Sequence, residues 1–225
     1  MDVSEAVKTR FTCRAFTEQP VSVSLIKEIL DLAKQAPSGG NLQPWHIHAI
    51  TGEKLEQIVL DIDSQIADMP MGEKPEYDVY PQNLWDPYRS RRFKCGEDLY
   101  KSINIPREDK GARLSQLARN FRFFDAPVGL FIYIDRKMGP PQWSDVGMFL
   151  QTIMLIARER GLHTCAQEAW AMWHSTVKKH LSVDNNLMLF CGMGIGYADE
   201  SHSINSWRTD RESVHNFTTF YGFDD

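Results

Sequence analysis

Apolar positions along the chain switch between a helical repeat and a two-residue alternation, and the switches mark out the elements. Met1 to Lys8 reads as a short helix, with Asp2 or Ser4 near its start and Val3 and Val7 on one face. Ser22 or Ser24 caps a longer helix carrying Leu25, Ile26, Ile29, Leu30 and Ala33, which Pro37 brings to an end. Trp45 to Thr51 alternates, so it reads as a half-buried strand. Glu53 to Ala67 returns to helical spacing through Leu55, Ile58, Val59 and Ile62. Helices are expected at Phe93–Ser102 and at Arg107–Phe123, the second with a stripe of Leu114, Leu117, Ala118 and Phe121. Val128 to Ile134 is a β-rich run suited to a strand buried on both faces. Gly139-Pro140-Pro141 breaks it off. Trp143 to Arg160 is then a long, mostly apolar helix, which belongs at the centre of a fold. Gly161 ends it, and Leu162–Ala166 (strand), Ala171–Leu181 (helix) and Leu187–Tyr197 (strand) follow.

Two stretches have no period. The first, at about 69–92, holds four prolines and ends in Arg89-Ser90-Arg91-Arg92-Phe93. It reads either as a lid whose arginines meet an anionic acceptor or a dinucleotide phosphate, or as a surface loop with a solvated basic end. The second, at about 199–225, carries Phe217, Phe220, Tyr221 and Phe223 with little of its own to bury them, which implies docking on this subunit or a partner. Gly192, Gly194 and Gly196 sit inside a strand pattern with no helix after them. They are therefore expected to permit close backbone approach, not to cradle a dinucleotide.

Composition narrows the classes. The 225 residues are 42% hydrophobic and 24% charged, with a formal net charge of −5. That balance fits one globular domain over 1–225 and gives no overall basic field for nucleic acid. The longest apolar runs are too short to span a bilayer, and no signal-like start is present, so a cytoplasmic protein is expected. Cys13, Cys95, Cys165 and Cys191 are scattered, which suits free buried thiols and neither a zinc site nor a disulfide framework. His46 and His48 share a strand face but read as structural, so no metal is expected.

Two polar clusters carry candidate chemistry. Pro37-Ser38-Gly39-Gly40-Asn41-Leu42-Gln43-Pro44-Trp45 joins a helix to a strand, with small polar groups beside exposed backbone. The same residues also make ordinary turns. Arg10, Thr12 and Arg14 stand at i, i+2 and i+4, so in an extended segment they point to one side and form an anion cradle. Alone, they better suit the solvated edge of a loop.

Together the clusters resemble the flavin-binding signature of the nitroreductase family. There an R-x-S/T-x-R/K segment follows the first helix and an S-G/S-x-N-x-Q-P-W segment the second. The resemblance runs almost the whole chain, through Gln167-Glu168-Ala169-Trp170 to Arg208. It is closest to the branch that reduces nitroaromatics such as nitrobenzoates. It implies an α+β fold, with a central, mostly antiparallel sheet flanked by helices, in an intertwined homodimer that exchanges C-terminal tails. It also implies FMN, with the phosphate on Arg10 and Arg208, Thr12 assisting, and Arg14 at the pyrimidine edge. Pro37, Ser38, Gly39 and Asn41 would reach the cofactor from the other subunit. The turn of Gln167, Glu168 and Ala169 would lie beside the ring, and Asp145 near its polar edge. Phe121, Phe123 and Phe124 read as core or as a flavin wall.

The implied reaction is ping-pong. NAD(P)H reduces the flavin at N5, then a nitroarene takes two electrons in the same slot, with no side-chain nucleophile or acid–base pair. Alternatives are a flavoenzyme of this fold acting on a quinone, enoate or halogenated aromatic or breaking down flavin, and a non-catalytic flavin-binding module. Gly40, Leu42 and Gln167 depart from some relatives and leave the acceptor pocket undefined.

Overall fold

The computed structural model describes residues 1–223, so the last two residues of the expected C-terminal extension lie outside the described part. Seven α-helices are described: α1 (Val3–Thr9), α2 (Val23–Ala33), α3 (Gly52–Gln65), α4 (Tyr88–Ser102), α5 (Lys110–Ala118), α6 (Pro140–Glu159) and α7 (His174–Leu181). They flank one antiparallel sheet of β1 (His46–Thr51), β2 (Val128–Asp135), β3 (His163–Gln167) and β4 (Leu187–Gly196), in the order β1-β2-β4-β3. The expected α+β architecture is present.

β2 is central and buried on both faces, as its continuous apolar run implied. Leu130, Ile132 and Ile134 meet α2 and α6 on one side. Phe131 and Tyr133 face the aromatic core of Phe123, Trp170 and Trp173 on the other. The strand glycines make room for that core. A Cβ on Gly192 would lie 2.2 Å from Trp170 Cδ1, and one on Gly129 2.4 Å from Phe123 Cε2. Rings, not a ligand, take up this space. Gly192→Ala therefore lowers unfolding stability by ~1–3 kcal/mol, the ordinary cost of overpacking, read as an earlier urea midpoint. An unchanged midpoint would mean that the rings yield without cost.

Three expectations are corrected. The helix placed at Phe93 begins at Tyr88, so the arginines assigned to a loop end occupy the first turns of α4. Asp86 starts it, accepting from the Ser90 N–H (3.2 Å) and pairing with Arg89 (2.5 Å). The helix buries no residue, so it leaves no apolar repeat to read. The helix expected at 107–123 stops at Ala118 and gives way to a 3-10 turn. Phe123, Phe124 and Asp125 all take positive φ there. Burial of Phe121, Phe123 and Phe124 at 2% exposure or less outweighs the strain of these left-handed residues. Finally, Gly139-Pro140-Pro141 starts α6 as well as breaking the strand, with proline in the first helical turn.

The excursion expected at 69–92 is anchored through its first half. Glu73 accepts from the Ser175 (2.7 Å) and Thr176 (3.0 Å) N–H groups and so caps α7 from a distant part of the chain. Tyr77 packs against Trp143 and Phe190. The four cysteines are free, and three are buried, while Cys95 is only partly covered.

Candidate functional site

The segment after α1 docks on the sheet edge. Thr12 bridges Thr164 of β3 in parallel, and the Cys13 N–H donates to the Thr164 carbonyl at 3.0 Å. In this extended run Cys13 and Ala15 are buried, whereas Arg10, Thr12 and Arg14 are half-buried and line one cleft of about 600 Å³. The cleft also takes Phe11, Gln151, Arg208 and Arg211. Arg10, Thr12 and Arg14 thus share one cleft, with Phe11 between them, and the far end of the chain brings Arg208 to meet them.

Arg208 is held by geometry on both sides. Its guanidinium lies 4.0 Å over the Phe11 ring, and its Nη1 donates to the Asn205 carbonyl at 2.5 Å. Asn205 is the residue that the sequence did not reveal. It is buried, its Oδ1 accepts from the Arg14 N–H (2.9 Å), and its Nδ2 donates to the Ala15 (2.7 Å) and Asp199 (2.9 Å) carbonyls. One amide thus ties the opening and closing segments together. A lone Asn in an aperiodic tail gives no signal of that role.

Among the described residues, Arg10, Arg14, Arg208 and Arg211 form no ion pair with a carboxylate. Burial, together with the neighbouring Arg211, lowers the pKa of Arg10 below its ordinary value. Four like charges on one cleft without a counter-ion make a site for an anion.

The other expected residues lie in two further places. The turn is exposed from Gly39 to Gln43, and Gly40, Asn41 and Gln43 are left-handed. Ser38 Oγ accepts from the Gln43 N–H (3.0 Å), and buried Asp145 accepts from the Gly39 N–H (3.3 Å), which fixes the turn to the start of α6. Arg158, at the other end of α6, donates from Nε to Thr9 Oγ1 beside the cleft. Thirteen residues of helix separate these anchors by about 20 Å. Within one chain, the turn of Pro37, Ser38, Gly39 and Asn41 is not among the residues lining the arginine cleft.

Gln167, Glu168 and Ala169 close β3, at the Arg14 end of the parallel pairing. Gln167 faces inward, its Nε2 donating to the Asn120 carbonyl at 2.7 Å. The Glu168 carboxyl is surface-accessible but ringed by protein atoms, and desolvation raises its pKa above the usual value.

The model of the Nitroreductase family matches residues 7–197, from the last turn of α1 through the end of β4. The chain belongs to the nitroreductase family. A 4-nitrobenzoate reductase of Pseudomonas putida is 42% identical over 223 residues, 99% of this chain and 97% of that protein. A nitrobenzene nitroreductase of Ectopseudomonas oleovorans is 39% identical, covering 97% and 96%. Among solved structures, the FMN and NADPH-dependent nitroreductase NfnB from sphigopyxis sp. strain HMH superposes with a TM-score of 0.96. It is 44% identical, with 99% of this chain and all of that one covered.

This nitroreductase also buries a histidine beneath the cleft. His163 packs on Phe11 (ring centroids 4.9 Å apart), and burial, with Arg158 adding to it, pushes its pKa down to about 4. In the unfolded chain a histidine titrates near 6.5, so between pH ~6.5 and ~4 the unfolded state binds the extra proton. Stability is whole above that window and falls as pH drops through it, by up to ~1.4 kcal/mol per pH unit. His163→Phe removes this slope. Urea midpoints at pH 7 and pH 5 test it, and an equal acid loss in both proteins counts against the assignment.

Proposed function

We propose that this nitroreductase binds FMN, takes reducing equivalents from NAD(P)H and delivers them to nitroaromatic compounds such as nitrobenzoates. The observation that carries the reading is the cleft of arginines without carboxylate partners. Its residues fit the cofactor. A phosphate supplies the missing counter-charge, and charge-assisted bonds of this kind are worth ~1.5–3 kcal/mol each. Bound FMN supplies a two-electron relay between a nicotinamide and an electron-poor acceptor.

The protein's own part is to hold and tune. Arg10 and Arg208 take the phosphate, Thr12 adds a hydroxyl, and the Phe11 ring keeps Arg208 aimed. Arg14 lies about 13 Å further along the extended segment, in reach of the ring's pyrimidine edge. Its fixed charge there favours the reduced cofactor over the oxidised one. Glu168 and Ala169 offer backbone N–H groups from the end of β3 beside Arg14. Gln167, through Asn120, fixes how that turn leaves the strand. Asp145 holds the Ser38 turn in shape.

The turn itself comes from a second copy. The face of α6 bearing Gly147, Met148 and Gln151 is exposed, and Val3 and Val7 of α1 are 74% and 51% exposed beside it. The tail residues Phe217, Phe220, Tyr221 and Phe223 stand in solvent at 54–84% exposure. So much open apolar surface fits a homodimer that packs α6 centrally and exchanges tails. Four free thiols and a dinucleotide donor fit a reducing, cytoplasmic setting. Among the described residues no helix is long and apolar enough to cross a membrane.

The test is spectroscopic. The purified protein is yellow, bleaches under anaerobic NADH or NADPH, and recovers its colour when 4-nitrobenzoate or nitrobenzene is added. Bound FMN that stays oxidised with both dinucleotides contradicts the activity.

A further inference from the structure

A second cavity, of about 860 Å³, adjoins the arginine cleft and shares Arg14 and Cys95 with it. It lies between the end of the excursion, α4 and α5. Its charges do not cancel. Glu97 is occupied by a two-pronged pair with Arg113 (2.6 and 3.0 Å), and Arg89 is paired with Asp86 (2.5 Å). Arg14 and Arg92 remain, with no carboxylate partner among the described residues.

Arg92 does not wave in solvent. Its guanidinium lies 4.2 Å over the ring of Tyr80, which also lines the cavity. A stacked guanidinium keeps its in-plane N–H fork free for an anion while its position is fixed. A neutral donor points the same way. Gln116 lines the cavity, and its Nε2 is shut from solvent with no hydrogen-bond partner among the described residues. With Arg14 given to the flavin's edge, one guanidinium and an unmet amide donor remain for a ligand rich in acceptor oxygens.

We infer that Arg92, held over Tyr80, is the specificity-determining residue that favours acceptors bearing a carboxylate. The inference rests on the nitroaromatic reading above and deepens it. Arg89 is excluded from this role by its pairing with Asp86, and Arg91 by its pairing with Glu212. Arg92 lies at the solvent edge on a helix that buries no residue, so its replacement leaves the core untouched.

The experiment compares kcat/KM for 4-nitrobenzoate and nitrobenzene in the FMN-loaded wild type, Arg92→Gln and Arg92→Lys. The ratio of carboxylated to neutral acceptor falls roughly two- to fivefold in Arg92→Gln, the range of a solvent-screened ion pair, and less in Arg92→Lys. An unchanged ratio overturns the assignment. So does a loss that appears only in the preference for NADPH over NADH, which gives Arg92 to the dinucleotide's phosphate. If the wild type reduces neither acceptor, the functional reading fails on its own. Calorimetric dissociation constants for benzoate and benzamide then decide the role of Arg92. A benzoate preference lost in Arg92→Gln supports it, and an unaltered or absent preference overturns it.

Discussion

Replacing Arg10 with alanine raises the dissociation constant for FMN by about tenfold to a hundredfold, the equivalent of one charge-assisted bond. The size follows from the cleft. Arg10 is half-buried, its own charge is crowded by Arg211, and no carboxylate among the described residues relieves it. A phosphate therefore gains a strong partner there, and apoprotein stability is unharmed or slightly raised when the repulsion is removed. Quenching of flavin fluorescence on titration with apoprotein gives the constant. Arg122→Ala is the control, because Arg122 pairs with Asp63 and is not among the residues lining the cleft. Equal affinity in wild type and Arg10→Ala contradicts the phosphate assignment.

Met148→Glu has a still larger effect. Met148 is 39% exposed on the open face of α6, so a single chain accommodates the carboxylate in water. In a twofold dimer centred on α6, two such carboxylates are buried in the interface, at several kcal/mol for each ion. The variant elutes as a folded monomer and comes off the column colourless, because each cleft loses the partner's Ser38 turn. Retention of both the dimer and the yellow colour contradicts the proposed assembly. Loss of the dimer with FMN still bound tightly shows that one chain suffices.

The elements that could be read were those in which burial imposes a period. β2 was legible because it is enclosed on both faces, and α6 because its buried residues recur at helical spacing. The arginine cradle was legible for a related reason. Alternation alone puts Arg10, Thr12 and Arg14 on one side once the run is extended, and the pairing of Thr12 with Thr164 makes it so. What escaped is set by contacts distant in sequence. The start of α4 depends on Asp86 and buries nothing. The end of α5 is decided by a hole between glycines that Phe123 fills at the expense of its own backbone. Asn205 acts through three hydrogen bonds, to Arg14, Ala15 and Asp199, of which two span about 190 residues of chain. The family signature pointed to the turn at Ser38, which within one chain is not among the residues lining the arginine cleft.

The most direct test is a crystal structure of the protein grown with FMN. The account predicts the phosphate against Arg10 and Arg208 of one subunit, the ring between Arg14 and the Glu168 turn, and the Ser38–Asn41 backbone of the partner subunit closing the site. Guanidiniums turned to bulk solvent, or a flavin enclosed wholly by one chain, would contradict it.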